Sequence, residues 1–122
     1  MEDFLYPLEF HESGRVKTRL RAEKVSPVSS GNHIQAEQVV LDFFDEQGEP
    51  QGRLWAEDCR IDRDRGEVVS ESALRMERPG VTLTGRGFRW HMETQTLEIF
   101  HDVRVEMAEG YGEAAAELVP PD

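Results

Sequence analysis

Residue types able to do chemistry are scattered along this 122-residue chain without gathering. His11, His33, His91 and His101 lie far from one another in sequence and from Cys59, the only cysteine, so no metal-ligand spacing is present. Asp58, Asp62 and Asp64 alternate beside a turn, where carboxylates ordinarily serve solvation, and they lack the ligand order of a calcium loop. Ser13, Ser26, Ser29, Ser30, Ser70 and Ser72 stand in no nucleophile-elbow context. Gly85-Arg86-Gly87 precedes no helix whose N-terminus would cradle a phosphate. Catalysis, a metal and a cofactor are therefore not expected. A single cysteine also excludes an internal disulfide, and Cys59 reads as a small core residue.

What remains is binding by apolar surface. A spaced pattern recurs as Leu20-x-Ala22-x-x-Val25, Ile34-x-Ala36-x-x-Val39-x-Leu41-x-Phe43, Leu54-x-Ala56-x-x-Cys59-x-Ile61 and Leu83-x-Gly85-x-x-Phe88-x-Trp90. Apolar residues alternate within each half, which is strand spacing, but parity switches after the small residue. One extra residue at that junction predicts a bulge or corner that turns the second half back toward the same interior. Similar bent strands side by side give a curled sheet with a continuous apolar inner face. On that alternation Leu41, Phe43, Leu54, Ile61, Leu83, Phe88, Trp90, Leu97, Ile99, Val103 and Val105 point inward. Such a face is either an ordinary dry core or the wall of a site for a slender apolar ligand such as an acyl chain. Composition does not choose between them.

The elements that must position this face are strands. Residues 1–12 hold Phe4, Leu5, Tyr6, Leu8 and Phe10 around Pro7, which predicts an extended lead-in or an edge strand broken by the proline. Residues 15–22 alternate basic with apolar or small side chains, so Arg15, Lys17, Arg19 and Arg21 form a basic outer face available to phosphate or partner groups. A turn region follows over 26–32. Further strands are predicted at 33–44, 52–62, 67–77, 81–92 and 97–107, separated by Asp45-Glu46-Gln47-Gly48, Arg63-Asp64-Arg65-Gly66, Arg78-Pro79-Gly80 and Glu93-Thr94-Gln95-Thr96. No segment before residue 108 has helical spacing, so the fold class is all-β with a single domain over 1–107. Residues 108–122 carry little to bury and are expected to form an acidic, disordered tail with at most a helical turn around 113–118.

Charge narrows the partners. With 25 acidic against 14 basic residues the formal net charge is −11, so the general field repels nucleic acid and anionic membrane surfaces. Nucleic acid is excluded as a main partner. Twelve of the basic residues are arginine, the better planar partner for carboxylate and phosphate. The opening residues lack the basic start and long apolar stretch of a signal peptide, and no run reaches the ~18 apolar residues of a membrane helix.

The run Ala56-Glu57-Asp58-Cys59-Arg60-Ile61-Asp62, then 68–76, 79–90 and 95–105 with its closing Val103-Arg104-Val105, resembles the periplasmic domains of the LptC/LptA (OstA-like) family of lipopolysaccharide-export proteins. Upstream, Phe10, Gly14, Leu20-x-Ala22 and the Phe43-Phe44-Asp45-x-x-Gly48 hairpin resemble the amino-terminal half of LptC. The resemblance covers roughly residues 8–107 and rests on spacing and residue class, with no catalytic motif. It implies an antiparallel β-jellyroll, or β-taco, whose interior holds the acyl chains of lipid A. It also implies edge strands that join other jellyrolls of a periplasmic bridge and the inner-membrane ABC transporter, and an anchor or signal segment upstream of Met1. An acidic chain binding anionic lipopolysaccharide is tolerable if affinity comes from acyl burial, at ~0.8 kcal/mol per methylene.

Two readings follow. The leading one is a non-enzymatic, lipid-binding component of the lipopolysaccharide bridge in the periplasm. The other is a structural β module with a dry core that docks or polymerises through its edges. A jellyroll enzyme is set aside, because no polar constellation is expected to point inward.

Overall fold

The computed structural model describes residues 4–28 and 33–108. They form seven strands: β1 (Phe4–Phe10), β2 (Val16–Pro27), β3 (His33–Phe44), β4 (Pro50–Asp62), β5 (Glu67–Arg78), β6 (Val81–His91) and β7 (Thr96–Met107). All lie in one sheet in chain order, each neighbouring pair antiparallel. Among the described residues no ladder joins β1 to β7, so the curled sheet has two free edges. The all-β, curled antiparallel architecture expected from the bent-strand repeat is the one observed.

The turns follow from local chemistry. Asp45 accepts the backbone N–H of Gln47 and of Glu49, each at 2.9 Å, while Gly48 adopts φ 87°. Asp62 Oδ1 accepts the Arg65 N–H at 3.0 Å, and Gly66 completes that hairpin at φ 65°. These are left-handed positions that glycine occupies without the steric cost of a Cβ.

The bend expected after each small residue is present as a crease that crosses the sheet. At β2 and β3 the ladder passes from Ala22↔Val39 to Lys24↔Glu37, leaving Glu23 and Gln38 unpaired, and Gln38 takes φ 53°. Further along the register shifts between Ala56 and Arg60, between Ser70 and Ala73, and between Thr84 and Arg86. On β7 the crease falls at Asp102, φ 56°. Parity switches there as the sequence requires: Leu20 and Ala22 are buried on one side of the crease, with Val39, Leu41 and Phe43 on β3. On the other side Cys59, Ile61, Val68, Phe88 and Trp90 are buried.

The crease folds the sheet into two walls. One holds residues 16–22, 39–44, 50–56, 74–78, 81–84 and 103–107; the other holds 24–27, 33–37, 58–62, 67–70, 88–91 and 96–101. Phe43 from the first wall meets Trp90 from the second, ring centroids 5.1 Å apart and the planes at 60°. Each fully buried Leu, Ile or Phe between the walls contributes roughly 1.5–3 kcal/mol.

Three expectations shift. β1 is a true strand and Pro7 does not end it, because an edge strand tolerates the missing N–H; the register slips just beyond it, between Pro7 and Glu9. β2 runs on to Pro27, past the start expected for the turn region, because Lys24, Val25, Ser26 and Pro27 pair with 34–37 across the crease. Val103, expected inside, is 38% exposed, since β7 is an edge strand with no wall beyond it. Residues 109–122 of the tail expected over 108–122, and residues 29–32 of the turn region, lie outside the described residues.

Candidate functional site

At the mouth of the fold, where the strand ends of the two walls approach each other, a cavity of about 510 Å³ opens. That volume lies within the ~300–1,000 Å³ of small-ligand sites. Its apolar lining is Phe43, Met76, Val81, Leu83, Trp90 and Leu97, and its rim carries His11, Lys17, Phe44, Gln51, Arg78, Gln95 and Thr96. Alternation on β3, β5, β6 and β7 aims the lining inward. The hairpin ends supply the polar rim.

The eleven inward residues read from the sequence divide into three groups. Phe43, Leu83, Trp90 and Leu97 line this cavity. Leu41, Leu54, Ile61 and Phe88 are at 0% exposure and fill the core behind it, and Ile99 packs against that core. Val105 is half-buried opposite Leu83 on the edge strand, while Val103 is exposed. Met76 and Val81 were missing from the expected wall, although the same alternation on β5 and β6 would have found them.

A clasp closes one side of the mouth. Glu9 on β1 accepts a hydrogen bond from Thr18 Oγ1 at 2.6 Å and another from Gln95 Nε2 at 2.8 Å, so the first strand touches the β6–β7 turn. The Arg63 guanidinium lies 4.9 Å from the Tyr6 ring centroid, a second contact between β1 and a hairpin end of the other wall. His11 Nε2 bonds to Phe44 O at 3.0 Å.

The four basic residues singled out on β2 have different fates. Arg19 and Arg21 both turn onto Asp42, Arg15 Nη1 donates to Gln47 O, and Lys17 sits on the cavity rim. Arg53, which sequence reasoning did not single out, also reaches Asp42.

The remaining reactive groups are engaged in local contacts or buried. Burial, with a smaller contribution from the Asp58 charge, pushes the Cys59 thiol up to about 12. His33 Nε2 pairs with Asp62 at 3.1 Å, and His91 Nε2 lies 3.5 Å from Glu98. The Asp62 carboxyl is held below its ordinary value chiefly by the Arg65 N–H, against a desolvation that opposes this, with His33 adding to the lowering. Among the described residues no group of three His, Cys, Asp or Glu is placed to hold a metal ion, and no helix is long and apolar enough to cross a membrane.

No protein-family profile matches the chain, and no curated protein matches its sequence. Eleven chains of solved structures do match. One is LptH from Pseudomonas aeruginosa, the LptA-homologous periplasmic component of the conserved lipopolysaccharide transport device. The TM-score is 0.61 over 88% of this chain and 92% of that chain, at 9% sequence identity. The two proteins share a fold.

Proposed function

We propose that this chain is a non-enzymatic, lipid-binding component of a periplasmic lipopolysaccharide-transport bridge. The observation that carries the reading is an unclosed, folded sheet of the LptH type whose mouth holds an apolar cavity with a polar rim. An acyl chain of lipid A enters that cavity against Phe43, Leu83, Trp90 and Leu97. Each buried methylene adds ~0.8 kcal/mol, so ten of them supply about 8 kcal/mol before the cost of association. The free edges β1 and β7 expose Phe4, Leu5 and Phe10 on one side and Phe100, Val103 and Met107 on the other. Unpaired strands with apolar side chains are templates for pairing, which suits handover to the next jellyroll and docking to the inner-membrane ABC transporter. The solved neighbour is an LptA homologue, so it supports the wider transport family and not LptC in particular. Placement in the periplasm, with an anchor or signal segment upstream, belongs to this reading.

A second reading has an observation in its favour. Most of the interior is closed, with Leu41, Leu54, Ile61 and Phe88 fully enclosed, as in a structural module with a dry core. Trp90 fluorescence separates the two. With Trp55 changed to phenylalanine to silence the other indole, lipid A should shift the Trp90 emission saturably. No shift at concentrations that saturate a known lipopolysaccharide carrier would leave the structural module as the better account.

A further inference from the structure

Asp42 lies on the outer face of β3 between the inward residues Leu41 and Phe43, yet it is only 3% exposed. Three guanidinium groups cover it. Arg19 Nη2 and Arg21 Nε stand 3.1 Å and 2.8 Å from its Oδ2, and Arg53 Nε stands 3.0 Å from its Oδ1. The register explains the convergence: Arg19 on β2 and Arg53 on β4 are the direct cross-strand neighbours of Asp42, and Arg21 follows on the same face of β2. One carboxylate balances one cation. The cluster therefore carries two positive charges in excess, in a chain whose net charge is −11.

Each guanidinium has five N–H donors in a rigid fork. Arg19 and Arg21 each use two nitrogens on Asp42, and the side chains of Arg19, Arg21 and Arg53 remain 37%, 28% and 53% exposed. Asp42 thus fixes three forks in place while neutralising one of them. We propose that Arg19, Arg21 and Arg53, held by Asp42, form a binding site for a phosphate monoester. Its charge of about −1.5 to −2 matches the excess, and its oxygens fit the forks bidentately. The site lies on the outer face of the sheet and reaches the cavity rim through one contact: the Arg19 guanidinium lies 5.2 Å from the centroid of the Phe44 ring, and Phe44 belongs to that rim. On the lipid-carrier reading that phosphate belongs to a lipid headgroup. Only the source of the phosphate rests on the lipid-carrier reading; the site itself does not.

Calorimetric titration of the whole chain at fixed ionic strength tests this with three probes: inorganic phosphate, decyl phosphate below its micelle concentration, and decanol. Both phosphates should bind. Arg53→Gln, which leaves two guanidinium groups on Asp42, should weaken both by about tenfold and leave decanol unaffected. Arg53→Lys keeps the charge but loses the fork and should fall between. Decyl phosphate binding more tightly than phosphate assigns the source to a lipid; equal affinity assigns it to free phosphate, with the site intact. Decanol failing to bind while phosphate binds counts against the acyl cavity and for the arginine site. Unchanged phosphate affinity in Arg53→Gln, or in Arg21→Gln should the first variant not fold, overturns the proposal.

Discussion

At Asp62 a turn-forming carboxyl carries a pH dependence whose sign is fixed by its partners. Its folded-state value lies below the ordinary 3.8, so the stability it contributes is present above that value and is lost as pH falls through the lower folded one. Asp62→Asn should lower the melting temperature at neutral pH and flatten its decline between about pH 5 and pH 2; parallel melting curves for the two proteins would contradict this. Cys59, with its thiol pushed up to about 12, should resist a thiol reagent at mildly alkaline pH until the chain is unfolded. Fast labelling of the folded protein would mean that β4 opens locally. The sequence displayed some of these roles and hid others. Phe43 and Trp90 announce themselves by alternation, because burial repeats every second residue on a strand. Asp42 does not, because its partners Arg19 and Arg53 are fixed by the register of three strands, and register is not written in any one of them. Val103 alternates like an interior residue, but whether a wall covers it depends on its place at the edge.

The crease is the element-scale feature that turns a flat ladder into a cavity. Glycine is demanded at two of its positions. A Cβ on Gly85 would collide with Ile99 Cγ2 and come within 3.1 Å of His101 O, while Gly87 adopts φ 76° with Phe100 Cδ2 only 2.9 Å from where its Cβ would stand. Gly87→Ala should therefore cost roughly 1–3 kcal/mol by chemical denaturation, from left-handed backbone strain plus the displaced Phe100 ring. A cost near zero would mean that the crease relaxes freely. The repeat of small residues made these bends legible beforehand, since each parity switch needs one extra residue. The strain at Gln38 and Asp102 was not legible, because neither side chain is glycine. The free edges make a separate prediction. Val103→Lys places a charge on the exposed face of β7 without touching the core, so the protein should keep its melting temperature while losing association with a neighbouring jellyroll. Unimpaired association would exclude β7 as the docking edge.

For the whole molecule, net charge and the proposed function pull in different directions. The lipid proposed for this chain is anionic while the chain stands at −11, so the attraction has to be apolar and local; the cavity at the mouth is lined by apolar side chains and carries Lys17 and Arg78 on its rim. Folding the sheet places its two walls close enough to enclose a core over most of its length, which leaves the cavity at the mouth as its open part. The proposed function confines lipid contact to the mouth, and site-directed photo-crosslinking reads that position by position. A benzophenone side chain at Leu83 or Leu97, both partly buried on the cavity wall, should capture lipopolysaccharide. The same group at Glu98, the outward neighbour of Leu97, should not. Capture at Glu98 equal to that at Leu97, or none at either cavity position in a folded protein, would rule out the cavity as the lipid site.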